Sequence, residues 1–109
     1  MTTVVHVKTV LDRLKAGDPD IVYIGRENKR YGLGMNVFQN PYPIKPPSAT
    51  HPLTREESID LYRDHVLRTI TRSPYFQKKV AGLKGKTLAC WCAPLACHGD
   101  ILAELADAL

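Results

Sequence analysis

Apolar residues along this chain change period several times, and each change marks an element. Thr3–Val7 (TVVHV) is a β-branched run and predicts a strand. Val10–Ala16 (VLDRLKA) suits two helical turns that stop at Gly17. Gly17-Asp18-Pro19-Asp20 is a turn. Ile21–Ile24 (IVYI) is a short apolar run suited to a buried strand, closed by Gly25-Arg26. Glu27–Pro52 then loses all periodicity. Its prolines, at Pro41, Pro43, Pro46, Pro47 and Pro52, block both helix continuation and strand pairing. So long a loop in a small domain is either functional or disordered, and Tyr31, Phe38 and Tyr42 give it the means to pack down.

Helical spacing returns after the loop. Thr54-Arg55-Glu56-Glu57 is a capping box, and Ile59, Tyr62, Val66 and Ile70 recur on one side of a helix from about Arg55 to Thr71. Ser73-Pro74 opens a second, shorter helix with Phe76, Val80 and Leu83 inward, ended by Gly82 and Gly85. Lys86–Cys92 (KTLACWC) reads as a strand. From about Gly99 to Leu109, Ile101, Leu102, Leu105 and Leu109 line the inner side of a last helix. Strands alternating with helices predict an α/β layered fold with a small, mostly parallel sheet flanked by helices.

Length and composition narrow the class. A chain of 109 residues predicts one domain spanning 1–109, and 44% hydrophobic with 24% charged residues is ordinary for a globular one. No apolar run approaches the ~20 residues of a membrane span, so no membrane partner is expected. The start, Met-Thr-Thr-Val-Val-His, lacks a basic segment followed by a long apolar one. The expectation is a cytoplasmic protein, and an odd count of three cysteines fits reduced thiols better than a disulfide scaffold. A formal net charge of +4 with scattered cations leaves two readings open: contact with phosphate or nucleic acid, or a solvated basic surface.

Candidate chemistry concentrates in Cys90–Asp100 (CWCAPLACHGD), which holds all three cysteines and the only tryptophan. Alternation along a strand puts Cys90 and Cys92 on one face and Trp91 on the other. Pro94 breaks the strand, and Cys97-His98-Gly99-Asp100 opens the final helix. The carboxyl ends of strands in open α/β sheets are where ligands bind, and Gly25-Arg26 ends another strand. Three readings stand side by side. As a metal site, Cys90, Cys92, Cys97 and His98 have the ligand types for zinc, although their spacing departs from paired knuckles. As a catalytic site, Cys97 is a thiolate at a helix start beside His98, and Asp100 orients His98 or caps the helix. As a structural turn, the cysteines are small buried hydrophobes and His98 and Asp100 cap the helix.

Elsewhere the signals are thinner. Gly32-Leu33-Gly34-Met35-Asn36 is not a dinucleotide fingerprint, because no strand and helix flank it and the third glycine is missing. Its glycines serve turns or a close ligand approach, and Asn36 and Asn40 serve turns or a base or sugar. Arg55 sits in a first helical turn where the dipole disfavours it, which suits either an anion site or plain exposure. His6, His51 and His65 suggest no role.

These residues together resemble the family catalogued as domain of unknown function 4326, found in bacteria and phages. The matching pieces are Tyr23-Ile24-Gly25-Arg26, the Gly34 and Asn36 loop with Phe38, Arg55-Glu56-Glu57 with Tyr62, and Leu88–Pro94 with Cys97–Asp100. The family usually shows a plain Gly-Asn where this chain has Gly34-Met35-Asn36. The terminal motif is also similar to one in domain of unknown function 488, which implies a Rossmann-like fold. Neither resemblance implies an activity. The polar members of the matching pieces are Arg26, Asn36, Arg55, Cys92, Cys97, His98 and Asp100. They suggest a strand-end crevice for a nucleotide-like or other small anionic ligand, with Cys97, His98 and Asp100 as chemical groups and Arg26, Gly34, Asn36, Arg55 and Cys92 as ligand contacts. The alternative is a non-enzymatic nucleic-acid or protein interaction module whose Cys/His turn is structural or zinc-bound.

Overall fold

The structure is a computed structural model that describes residues 1–109. Its strands are β1 (Thr3–His6), β2 (Ile21–Tyr23) and β3 (Thr87–Cys90), and its helices are α1 (Leu11–Lys15), α2 (Arg55–Arg72), α3 (Pro74–Ala81) and α4 (His98–Ala108). Short 3-10 turns at Val7–Thr9 and Lys29–Tyr31 join them. The three strands run parallel in the order β1-β3-β2. Thr87 pairs with both Thr3 and Ile21, and the ladder reaches His6↔Cys90 on one side and Tyr23↔Ala89 on the other. All strand carboxyl ends therefore lie at one edge of the sheet. The α/β layering and the parallel sheet are those expected from the sequence.

Helices cover both faces, as a parallel sheet requires. On one face Leu88 and Cys90 of β3 meet Tyr62 and Val66 of α2, Phe76 and Val80 of α3, and Ile101, Leu102 and Ala106 of α4. Ile24 and Phe38 complete this larger cluster. On the other face Ala89 meets Val7, Val10, Ile21 and Leu33, with Leu11 and Leu14 of α1 and the ring of Trp91 packed against them. Full burial of a side chain such as Leu88 or Val66 stabilises the fold by about 1.5–3 kcal/mol.

Local sequence explains the boundaries. Thr54 accepts from the Glu57 amide while Glu57 reaches back to the Thr54 amide, so the predicted capping box starts α2. Ser73 accepts from the Phe76 amide and Pro74 takes the first helical position of α3. Most boundaries shift by a residue, and two in the Cys-rich segment bear on the site. Strand pairing ends at Cys90 and not at Cys92, because the chain turns at Trp91 to enter the segment that leads to α4. Cys92 nevertheless packs against the same core as Cys90, and Trp91 against the opposite one. Helix α4 begins at His98, one residue early, because Cys97 itself acts as the cap.

No helix is long and apolar enough to cross a membrane.

Candidate functional site

A cavity of about 310 Å³ opens at the carboxyl ends of β2 and β3, between the starts of α2 and α4. That is within the usual range for a small-molecule site. One wall is the Gly25-Arg26 turn after β2. Gly25 leaves no room for a side chain: a Cβ there would lie 2.5 Å from the Tyr23 hydroxyl oxygen. The Tyr23 hydroxyl donates to the Arg26 carbonyl and accepts from the Trp91 indole N–H at 2.8 Å. The end of β2 is thereby tied to the end of β3, and the Arg26 side chain is aimed over the cavity. Arg26 Nη2 donates to the Asn40 carbonyl at 2.8 Å.

The long loop supplies the opposite wall, held by side chains and by two isolated backbone pairings, Asn28 with Leu33 and Lys45 with Leu53. Asn36 donates from Nδ2 to the Gly25 carbonyl at 2.8 Å and accepts from the Phe38 amide at 2.9 Å. Tyr62 of α2 donates to the Phe38 carbonyl at 2.7 Å, and burial pushes its phenol pKa up, so it stays a donor. Asn40 accepts from the Tyr42 amide and donates to Ser58 Oγ at 2.9 Å, and Ser58 donates to the Tyr42 carbonyl. The result brings Asn40, Tyr42, Pro43 and Ile44 against the first turns of α2. Arg55 lies there, its Nη1 donating to the Ala96 carbonyl at 2.9 Å. Neither Arg26 nor Arg55 is among the ion-paired residues of the structure. Each guanidinium makes one bond to a main-chain carbonyl and keeps most of its donors for something else.

The floor is a thiol pair and an imidazole. Cys90 at the end of the central strand and Cys97 at the cap of α4 place their Sγ atoms 3.1 Å apart, both buried. The Cys97 thiol stabilises a Cys90 thiolate, and the Ala93 and Cys92 amides add to this against the cost of burial. Together they draw the Cys90 pKa down to about 6. The same contact, with burial, holds the Cys97 proton in place and raises its pKa. Cys97 also accepts from the Gly99 amide at 3.2 Å, and its own amide donates to Asp100 Oδ2 at 3.0 Å. This is a capping box with sulfur where serine or threonine is usual.

His98 Nε2 lies 2.8 Å from the Ile24 carbonyl. A carbonyl only accepts, so Nε2 carries the proton and the neutral ring keeps Nδ1 as its acceptor. Burial lowers the His98 pKa and outweighs the Ile24 bond, and the nearby Arg26 charge lowers it further. Tyr62 packs edge-on against the ring at 5.0 Å.

The structure brings Arg26, Arg55, Cys92, Cys97 and His98 together around this cavity, with Cys90, Asn40, Tyr42 and Ser58. It does not bring Gly34 or Asn36 there. Gly34 borders a separate open depression with Lys15 and Met35, and Asn36 spends both ends of its amide holding the loop to Gly25. Asp100 binds the Cys97 amide, and so positions Cys97 through its backbone. The four residues with zinc-ligand chemistry do not converge: nowhere do three His, Cys, Asp or Glu side chains meet as a metal would require. The pairing least visible from the sequence is that of Cys90, whose residue type offers only a metal ligand or a small core residue. Its partner is seven positions away across a turn, and only the chain's return to the strand end makes the contact. Ser58 gives no such signal and Tyr42 signals only loop packing, since the loop path that joins them carries no periodicity.

Comparison with known proteins adds lineage. Over 56 residues, 51% of this chain and 52% of the relative, the sequence is 34% identical to the "Uncharacterized 12.4 kDa protein in nrdA-td intergenic region" of Enterobacteria phage T4, so the match spans about half the length of that protein. No solved structure matches the chain. With residues 8–108 matching the family described as Domain of unknown function (DUF4326), the chain belongs to that family.

Proposed function

We propose that the strand-end crevice binds a small anionic, nucleotide-like ligand and carries thiol or imidazole chemistry at its floor. The observation that carries this reading is the pair of guanidiniums without carboxylate partners, Arg26 and Arg55, arriving from different elements at the wall of one cavity. Planar guanidinium forks match phosphate or carboxylate oxygens. Tyr42, Pro43, Ile44 and Ile59 offer an apolar wall for the remainder of the ligand. In this reading the anion lies near the arginines, and the Cys90 thiolate or the His98 Nδ1 acts on the group attached to it. The protein is taken to work in the cytoplasm, where its thiols stay reduced.

Calorimetric titration with inorganic phosphate and a panel of nucleoside monophosphates tests the reading. A charge-assisted hydrogen bond contributes about 1.5–3 kcal/mol, so Arg26→Ala and Arg55→Ala are each expected to weaken binding by about 10–100-fold. The lysine variants should restore only part of it. Saturable binding that survives both alanine variants unchanged would sink the crevice reading.

A second reading, a nucleic-acid interaction module, draws on one cluster. Lys8 and Arg30 lie over the Tyr31 ring at 5.9 and 5.6 Å, and Tyr31 packs against Trp91 at the cavity's edge. Cations interleaved with half-buried aromatics suit single-stranded nucleic acid.

A further inference from the structure

We infer that Cys90 and Cys97 form a redox-active dithiol that reduces small hydroperoxides, Cys90 attacking and Cys97 resolving. The inference concerns the cavity floor alone and holds or fails with no anion bound.

The geometry comes first. The two Sγ atoms are 3.1 Å apart, and a disulfide bond is about 2.05 Å long, so closure needs an approach of only about 1 Å. Neither sulfur sits on a mobile arm. Cys90 ends the central strand, and Cys97 is fixed by its bonds to the Gly99 and Asp100 groups of α4. Both border the cavity, yet the residues are only 1% and 3% exposed. A protein disulfide cannot reach them along the sulfur axis, whereas a peroxide of a few atoms can enter the cavity. Either sulfur can donate across this contact, and the Cys92 and Ala93 amides beside Cys90 favour the thiolate there, so the attack is assigned to Cys90. Arg26 and Arg55 border the same space without carboxylate partners and favour the negative charge that develops on the departing oxygen.

The chemistry balances without a metal or cofactor. The Cys90 thiolate attacks one oxygen of ROOH. The O–O bond breaks, RO⁻ leaves and takes a proton to become ROH, and Cys90 is left as a sulfenic acid. The Cys97 sulfur then attacks the Cys90 sulfur, an S–S bond forms, and the hydroxyl leaves with the Cys97 proton as water. Two electrons pass from the dithiol to the peroxide. A small-molecule thiol returns them: two of its thiols become one disulfide, and Cys90 and Cys97 regain their protons.

The test uses the reduced chain of residues 1–109, hydrogen peroxide and intact-mass spectrometry. The expected result is consumption of one peroxide per chain with loss of two hydrogens, reversed by dithiothreitol. Peptide mapping should place the new disulfide between Cys90 and Cys97. Cys97→Ser should stop at a Cys90 sulfenic acid that dimedone traps, and Cys90→Ser should consume no peroxide on this timescale. A disulfide that includes Cys92, or a dimedone adduct on Cys92 in Cys97→Ser, would assign the chemistry to Cys92 and overturn the proposal. Should the two buried variants fail to fold, peptide mapping of the oxidised wild-type chain still decides: a Cys90–Cys97 disulfide upholds the assignment, and a disulfide that includes Cys92 overturns it.

Discussion

Gly99 has no room for a side chain. A Cβ there would lie 2.8 Å from Ile24 Cδ1, 3.0 Å from Val4 Cγ1 and 3.2 Å from Cys97 Sγ. The start of α4 is thereby allowed to press onto β1 and the residue that follows β2, which is what brings Cys97 to Cys90. Gly99→Ala is expected to cost about 1–3 kcal/mol, read from chemical denaturation, and to slow peroxide-driven disulfide formation. His98 gives a pH-dependent term. Its folded pKa lies below that of the unfolded chain, about 6.5. The unfolded state therefore binds more protons as pH drops through that value, and stability falls. Urea midpoints measured at pH 7.5 and 5.5 should show this loss, and His98→Gln should show less of it. If the two chains lose stability equally, His98 is not the titrating group. From the sequence, the Cys-His pair at a helix start was plain. The tautomer was not, because the Ile24 carbonyl that sets it lies 74 positions away.

At the scale of the element, α2 does two jobs with one sequence. Its capping box and its inward Tyr62 and Val66 are local and periodic, so both were legible along the chain. Thr54→Ala should destabilise the protein by about 1 kcal/mol, the ordinary loss for a cap. The second job is to hold the loop, through Tyr62 to Phe38 and through Ser58 to Asn40 and Tyr42. Asn40→Ala removes both the acceptor of the Tyr42 amide and the donor to Ser58. Hydrogen exchange at the Tyr42 amide should quicken sharply in that variant while α2 amides beyond the first turn keep their protection. Unchanged exchange would mean that the loop is held by something other than these bonds. Proline spacing correctly marked 27–52 as lacking a ladder, but its path depends on side chains whose partners lie on another element.

For the whole molecule, the net charge of +4 is shared by the two functional readings, and salt separates them. A small anion held by Arg26 and Arg55 should lose only a few-fold in affinity between about 50 and 200 mM salt, whereas a protein making 6–10 phosphate contacts loses about 10³–10⁵. A steep slope with single-stranded DNA, reduced by Lys8→Ala and Arg30→Ala, would favour the interaction module. What the sequence determined by itself was everything governed by near neighbours: three strands, four helices, the caps of α2 and α3, helices flanking the sheet, and the density of chemistry in Cys90–Asp100. Those follow from periodicity, turn residues and helix-start hydrogen bonds that span a few positions. The tertiary structure alone decided which cysteines meet, which loop asparagine borders the cavity and which only ties the loop down, and that two arginines 29 positions apart face one space. Those are contacts between segments distant in sequence. They are fixed by the parallel order β1-β3-β2, which gathers the ends of β2 and β3 and the starts of α2 and α4 at one edge.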